Sequence, residues 1–232
     1  MQCWITEDLQ SVVIKITLIL KVEMKTSVLT ILTFTLLLSS CHAQSTKSKG
    51  LLGGPCEDCE AALDYKILNF EPGPSATIVG HDVFHPKLNI SGIVFHQDGV
   101  TPAPNIILYI YQTNKGGIYE PSSEPIGWER RHGQYRTWVK TDAKGQYSFD
   151  SFRPGAYPNG IEPEHIHIYI IEPNKIPYYI DVVMFNDDPT LSQKDIDDQK
   201  FRGGSGLISL HEKGGSFSGQ RDIILGHNIP NY

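Results

Sequence analysis

Short runs rich in β-branched and aromatic residues, each bounded by turn residues, dominate the chain after its first eighty residues. The clearest runs span residues 88–96, 106–112, 136–141, 146–152, 165–172 and 178–185. No segment of ten or more residues shows a 3.6-residue apolar period, which disfavours long amphipathic helices. The spacing of the runs predicts an all-β fold, a two-sheet β-sandwich with loop excursions.

Other segments are less regular. Residues 57–65 predict a short helical segment, residues 191–200 a helical excursion and residues 216–225 a last strand. Residues 71–81 (EPGPSATIVGH) are rich in turn residues and predict a loop. We therefore expect the folded domain to span residues 81–232.

The N-terminus carries an apolar run, residues 28–38 (VLTILTFTLLL), that is too short to cross a bilayer and has the size of a secretory signal's hydrophobic region. Because Met24 and Lys25 precede it, we predict a leader over residues 1–40, with the true start at Met24 and a signal peptide over 24–40. The alternative is one membrane helix over residues 11–38, which three lysines and a glutamate make costly.

This run leads into Leu38-Ser39-Ser40-Cys41, which resembles a bacterial lipobox, in which the cysteine is lipidated and becomes the first mature residue. The resemblance implies export and a lipid anchor on Cys41, on the periplasmic or cell-surface face of a bacterial membrane. Residues 42–55 (HAQSTKSKGLLGGP) are polar and Gly-rich, so we expect a flexible tether within residues 41–80.

The remaining cysteines, Cys56 and Cys59, form the motif C-E-D-C. In an exported chain this spacing favours a local disulfide; two free thiols or a redox pair are the alternatives. A zinc site would need further thiols, and none remains if Cys3 leaves with the leader and Cys41 is lipidated.

The charge balance bears on the partners. The chain has 26 Asp and Glu against 20 Lys and Arg, a formal charge of -6. Since no excess of positive charge is available to bind a phosphate backbone, we expect no nucleic-acid partner.

Two histidines separated by one residue, His165 and His167, lie in the run 165–172. In a strand such residues point to the same face, so both imidazoles can approach one metal ion. Tyr119 and Tyr157 each follow a strand-like run, in turns rich in Gly and Pro where functional groups tend to lie. Alone, each of these features also fits packing in a sheet.

Together these features resemble the intradiol ring-cleavage dioxygenases, the catechol and protocatechuate 3,4-dioxygenase group. The resemblance covers about residues 88–189 and keeps the order and spacing of the family's motifs. The matching pieces are SGIVF with the Asp98-Gly99 turn, IYQTNKGGIY, the Arg136-x4-Thr141-Asp142-x2-Gly145-x-Tyr147 run, RPGAYP and PEHIHI.

The resemblance implies one Fe(III) per chain, held by Tyr119 and His165 as equatorial ligands and by Tyr157 and His167 as axial ligands. It also implies a mechanism in which a catechol chelates the iron, displaces Tyr157 and is cleaved by O2 between its hydroxyl-bearing carbons to a muconate. The implied partners are a small aromatic diol and O2. The sequence leaves a homo-oligomer open.

The sequence departs from the family's pattern near the substrate. Glu162 stands where the family usually carries an Arg three residues before the first His, and Tyr109 stands where an acidic residue is usual. Trp128, Arg131 and Glu162 are the candidates to line the pocket, and Arg131 or Arg136 could supply the missing positive charge. Arg136 aligns with a family Arg, and we predict a catalytic role for it; a solvated loop over a packed Trp128 is the alternative.

Two other functions fit the sequence less well. One is a non-catalytic, lipid-anchored β-sandwich module that binds an aromatic, a catecholate or a carbohydrate, an idea prompted by Glu162 and the tether. The other is a zinc or copper site that uses His165 and His167 for different chemistry.

Overall fold

The computed structural model describes residues 50–160 and 162–232. Twelve strands and a few short helices make up this part of the chain. The signal peptide, the start at Met24 and the lipidated Cys41 fall outside the described residues and stay predictions.

The first sheet contains β1 (Ser75–Thr77), β2 (Lys87–Phe95), β5 (Gln146–Phe152), β10 (Leu210–Lys213), β11 (Ser216–Gln220) and β12 (Ile223–Ile224). Its order is β1-β5-β2-β11-β10, and β12 also pairs with β2. Buried and half-buried residues alternate strictly along β2, as expected for a strand with one face on the core.

The second sheet contains β3 (Ile107–Gln112), β4 (Arg136–Lys140), β6 (His165–Ile171), β7 (Tyr178–Tyr179), β8 (Val183–Phe185) and β9 (Leu207–Ile208). Its order is β4-β3-β6-β8-β9, with β7 also paired to β6. All but the first residue of β3 are buried, because other segments cover the outer face of this sheet as well.

The main core lies between the inner faces of the two sheets and is built from aliphatic side chains with a few aromatic rings. Among its fully buried members are Leu88, Ile90, Leu108, Ile110, Phe149, Ile166 and Ile168. The two sheets and the core between them confirm the predicted β-sandwich.

Residues 50–80 pack onto the domain, so the tether predicted for residues 42–55 is wrong from residue 50 onward and the domain begins before residue 81. The short helical segment predicted for residues 57–65 is confirmed. Gly50–Tyr232 form one compact unit. A 3₁₀ helix (Cys59–Leu63) contributes the buried residues Cys59, Ala61 and Ala62 to a cluster on the outer face of the second sheet, and helix α1 (Asp64–Ile67) adds the partly buried Tyr65. Burial of apolar side chains there holds residues 50–80 against the sheet, although the Gly-rich composition at the start of this segment is typical of a linker.

Two predicted strands are each interrupted. The run 178–185 forms β7 and β8, because the Asp181 N–H donates to Arg202 O rather than to a sheet neighbour. The run 216–225 forms β11 and β12, separated at Arg221, whose carbonyl oxygen lies so close to Gly92 that a Cβ there would be 2.0 Å away. Tertiary contacts cause both interruptions, so the local sequence pattern does not predict them.

Two further short helices lie in the connections. Helix α2 (Glu129–His132) follows the loop after β3, and helix α3 (Gln193–Asp197) lies within the predicted excursion. Ser192 begins α3 with a capping box to Asp195. No helix in the described part of the chain has the length and apolar character that a bilayer crossing requires.

Candidate metal centre

The side chains of Tyr119, Tyr157, His165 and His167 meet at one end of the second sheet. The Tyr119 and Tyr157 phenol oxygens are 2.7 Å apart, and the Tyr119 oxygen is 2.8 Å from His167 Nε2. The His165 and His167 Nε2 atoms are 3.0 Å apart. The four residues that the sequence selected as ligands thus present their donor atoms to one small region.

Glycines bring the two tyrosine loops together. Gly117, two residues before Tyr119, has φ +76°, and a Cβ there would lie 2.0 Å from the Ala156 carbonyl oxygen. A Cβ on Gly155 would lie 2.4 Å from the Lys115 carbonyl oxygen. The backbones of the two loops therefore touch where only glycine fits, which places both phenols over the same strand.

Asparagine holds the first of these loops. The Asn114 side-chain oxygen accepts hydrogen bonds from the N–H groups of Gly116 at 2.8 Å and Ile118 at 3.1 Å. The Asn114 carbonyl accepts the Gly155 N–H at 3.0 Å, which ties this loop to the next. The motif T-N-K-G-G is thus a rigid turn that aims Tyr119.

The histidines come from strand β6, where alternate residues share a face. His165 Nδ1 lies 2.7 Å from the Pro163 carbonyl oxygen, which can only accept, so Nδ1 carries the proton and Nε2 presents a lone pair toward the centre. A fixed tautomer of this kind is typical of histidines that bind metals.

Burial decides the charge of the four groups. It raises the pKa values of Tyr119 and Tyr157 above that of free tyrosine and lowers the pKa of His165. It holds the pKa of His167 well below its usual range, with the neighbouring His165 as a smaller cause. At neutral pH both imidazoles are therefore neutral, and each has a nitrogen lone pair that could bind a metal ion. Both phenols keep their protons unless a bound cation displaces them.

The donor spacing fits one metal ion. Donors about 2.0–2.1 Å from an ion and at right angles to each other are about 2.9 Å apart, close to the three separations observed. In residues 50–160 and 162–232, no group of three or more His, Cys, Asp or Glu side chains is arranged to hold a metal. An ion at this centre would therefore depend on the two tyrosines as well as on the two histidines.

A stack of rings supports His167 from behind. The Tyr111 ring is 4.4 Å from the His167 ring and 4.0 Å from the His132 ring, and it is nearly parallel to both. His132 Nδ1 is 2.9 Å from the Tyr109 hydroxyl, and burial lowers the pKa of His132 to about 4. The neutral imidazole of His132 thus holds the Tyr111 ring, which packs on His167.

The cysteine pair borders this stack. Cys56 and Cys59 form a disulfide, and Asp58 between them has φ 65°. Asp58 Oδ2 lies 3.5 Å from His132 Nε2 and 2.6 Å from Arg131 Nε. The C-E-D-C motif, which the sequence marked only for its thiols, thereby anchors α2 over the outer face of the sheet.

The structure pairs Arg136, for which a catalytic role was predicted, with a buried carboxylate. Its Nη1 donates to Asp64 at 2.9 Å, its Nη2 donates to the Ile126 carbonyl at 2.9 Å, and both charged side chains are only 4% exposed. The guanidinium also lies over the Trp138 ring. Since its charge is neutralised in a buried ion pair, Arg136 is a structural residue that joins α1 to β4.

The other pocket candidates also differ from expectation. Arg131 pairs with Glu57 and Asp58. Trp128 is half-buried, with its ring 5.8 Å from that of His132. Both belong to the packing of α2, which is the alternative that the sequence left open.

Glu162 is exposed beside the centre. Its carbonyl oxygen accepts the Tyr157 N–H at 3.3 Å, and its charge adds to burial in raising the pKa values of Tyr119 and Tyr157. The structure therefore places a negative charge next to the phenols.

Comparison with solved structures settles the fold. The chain superposes on the dioxygenase domain of a dioxygenase–carbohydrate-binding protein fusion from Streptomyces sp. SirexAA-E, with a TM-score of 0.52 and 22% identity, over 67% of this chain and 89% of that one. The chain has the intradiol ring-cleavage dioxygenase fold. An intradiol ring-cleavage dioxygenase from Tetranychus urticae gives a TM-score of 0.51 at 18% identity, over 66% of this chain and 87% of that one.

No family model and no curated protein matches the sequence. The likeness to intradiol dioxygenases is therefore one of fold, and the four converging side chains carry the argument about chemistry.

Sequence reasoning missed the ring stack behind His167. Tyr109 and Tyr111 alternate on β3, and the antiparallel register pairs Tyr111 with His167. That alternation, together with His132 four residues after Trp128, is a signal in the sequence. The pairing of strands that makes it meaningful is visible only in the structure.

Proposed function

We propose that the protein is a non-haem Fe(III) dioxygenase that cleaves catechol-like aromatics with O2 between the two hydroxyl-bearing carbons, giving a muconate-type product. The observation that carries the proposal is the convergence of two phenols and two imidazoles. Their donor atoms form a chain from Tyr157 through Tyr119 and His167 to His165, with successive separations of 2.7, 2.8 and 3.0 Å. The fold shared with intradiol dioxygenases supports it.

Tyr119, Tyr157, His165 and His167 would hold the ion. Phenolate is a hard anionic donor, so a trivalent ion can displace the phenol protons although burial raises both pKa values. When bound, Fe(III) supplies Lewis acidity and draws electron density from a chelated catecholate.

The two tyrosines are suited to different tasks. Tyr119 is fixed by the Asn114 turn and lies 2.8 Å from His167 Nε2. Tyr157 is half-buried and is followed by the exposed residues Pro158, Asn159 and Gly160, so its phenol has a route outward. We assign Tyr157 as the group that yields its place to the substrate and, as a phenolate, accepts a proton from a catechol hydroxyl.

The chain's other contributions are rigidity and exclusion of water. Tyr111 seals one face of His167 by ring contact at 4.4 Å, and Tyr169 donates to or accepts from the Tyr111 hydroxyl at 3.1 Å. A ligand held this firmly can keep the reacting groups in one orientation, which lowers the entropic cost of reaction.

A non-catalytic module that binds a catecholate is the second candidate. The observation that favours it is that Arg131 and Arg136 are both engaged by carboxylates, which leaves neither free to stabilise an activated substrate. Such a module would bind iron and catechol without consuming oxygen.

The deciding experiment follows turnover of catechol by the iron-loaded protein under 18O2. We expect oxygen uptake and a ring-opened product that contains both labelled atoms. Tyr157→Phe should slow turnover strongly, whereas Tyr65→Phe on α1 should leave it unchanged. Binding of catechol without oxygen uptake would establish the module instead, and full turnover by Tyr157→Phe would contradict the role assigned to that residue.

A further inference from the structure

We propose that Glu162 is a specificity-determining residue that makes the site select catechols with a cationic substituent over catechols with a carboxylate. The inference rests on the proposed function and names the substrate class within it. It concerns the charge of the group that the diol ring carries and adds nothing to the ring-cleavage chemistry.

Glu162 adjoins the place where the substrate would bind. Its carbonyl oxygen accepts the Tyr157 N–H at 3.3 Å, and the next residue, Pro163, offers its carbonyl to His165 Nδ1 at 2.7 Å. The Glu162 backbone thus bridges the loop of one proposed ligand and the strand of another. A catechol that takes the place of the Tyr157 phenol must lie beside this residue.

Neither of the two arginines that the sequence proposed for the pocket pairs with the Glu162 carboxylate. Arg136 is buried against Asp64, and Arg131 is held by Glu57 and Asp58. These pairs hold the arginines on the α2 side of the centre.

Other basic groups also lie near the centre or near Glu162. His132 is neutral at pH 7, because burial lowers its pKa to about 4. Lys194 of α3 is paired with Asp198. Glu162 also acts electrostatically on Lys194, and Lys200 lines the same cleft. The proposal therefore rests on the balance of carboxylates and lysines around Glu162.

A cleft beside Glu162 also has a negative net charge in its lining. It has a volume of about 350 Å³, enough for a substituent of a small aromatic, and lies between the start of β6 and α3. Its lining carries the carboxylates Glu162, Asp181, Asp195 and Asp198 against the lysines Lys194 and Lys200. The excess of carboxylates favours an ammonium group in the cleft and disfavours a carboxylate.

The size of the effect follows from Coulomb's law. Two unit charges about 7 Å apart at an effective dielectric constant of about 40 change an equilibrium constant about sevenfold. The preference for an ammonium over a neutral group and the preference for a neutral group over a carboxylate should each have about this size, and both should diminish with added salt.

The test uses three diols that differ only in their substituent: 3,4-dihydroxybenzylamine, 3,4-dihydroxybenzamide and 3,4-dihydroxybenzoate. The specificity constant kcat/KM and the dissociation constant under anaerobic conditions are measured for each with the iron-loaded protein. Comparing Glu162→Gln and Glu162→Arg with the wild type cancels the intrinsic reactivity of the three rings. Glu212→Gln, which removes an exposed carboxylate from β10 of the other sheet, is the matched control.

We expect Glu162→Gln to raise the benzoate-to-amine ratio about fiftyfold, the product of two sevenfold steps, and Glu162→Arg to raise it further. Glu212→Gln should leave the ratio within about twofold of the wild type. An unchanged ratio in both Glu162 variants, with diols still bound and cleaved, would overturn the inference alone. Failure of the wild type to bind or cleave any of the three diols would overturn the proposed function together with the inference.

Discussion

Gly117→Ala tests how the two tyrosine loops are brought together. Gly117 has φ +76°, and an added Cβ would lie 2.0 Å from the Ala156 carbonyl oxygen and 3.1 Å from Pro158 Cδ. The methyl group cannot be accommodated by rotation of a side chain, because the nearest obstacle is backbone. The loop that carries Tyr119 must therefore move away from the loop that carries Tyr157.

Two costs add up in this variant. A left-handed conformation costs alanine about 1 kcal/mol relative to glycine. Separating the loops also weakens the hydrogen bonds from Gly155 N–H to Asn114 O (3.0 Å) and from Thr113 Oγ1 to Gly155 O (2.8 Å), at about 1 kcal/mol each. We expect a loss of about 3 kcal/mol in the free energy of unfolding.

Gly214→Ala is the matched control. Gly214 has φ +62°, but nothing lies within 4 Å of its added Cβ, so only the cost of about 1 kcal/mol for the backbone conformation remains. Urea unfolding measures both values, and titration with Fe(III) shows whether the phenols still converge. Equal stability and equal iron affinity for the two variants would refute the account of how the loops position the phenols.

Three further predictions follow from the charges and rings around the centre. Arg136→Met should lower the free energy of unfolding by about 3 kcal/mol because it leaves Asp64 buried without its partner, and adding Asp64→Asn should recover part of the loss; normal stability with a selective fall in kcat would restore a catalytic role. His132→Ala should cost about 2–4 kcal/mol in urea unfolding, since Tyr111 loses a ring stacked at 4.0 Å, while His132→Phe should cost less; equal losses would contradict a role for the stack. Iron affinity should fall as the pH falls, because burial raises the pKa values of Tyr119 and Tyr157 and both phenols must release protons to bind; calorimetry should show about two protons released per ion, and none released would contradict phenolate ligation.

The sandwich was predictable because its strands carry the signal locally. The run 146–152 forms β5 with the predicted bounds, and 165–172 differs from β6 by one residue. The helical segment and the Cys56–Cys59 disulfide of residues 50–80 were predictable. The packing of these residues onto the domain was not, because it comes from burial of small side chains such as Ala61 and Ala62 against a distant sheet. Gly- and Pro-rich composition marks a turn but does not show whether that turn packs.

The candidate centre was predictable to the extent that its residues lie in motifs. Turns and strand periodicity marked Tyr119, Tyr157 and the His165–His167 pair as candidates, and the family resemblance identified them together as a ligand set. The partner of Arg136 could not, because Asp64 lies far away in the sequence, in a short helical segment outside the family's motifs. A basic residue in a family motif gives no sign of whether a carboxylate neutralises it.

The central claim is that two phenols and two imidazoles hold one ferric ion, and metal analysis combined with visible spectroscopy tests it most directly. Protein loaded with Fe(III) should contain one iron per chain and show the visible tyrosinate-to-Fe(III) charge-transfer colour. Tyr119→Phe should reduce that colour, and removal of both imidazoles should abolish iron binding. A colourless protein that takes up no iron, or that retains zinc or copper in its place, would contradict the claim.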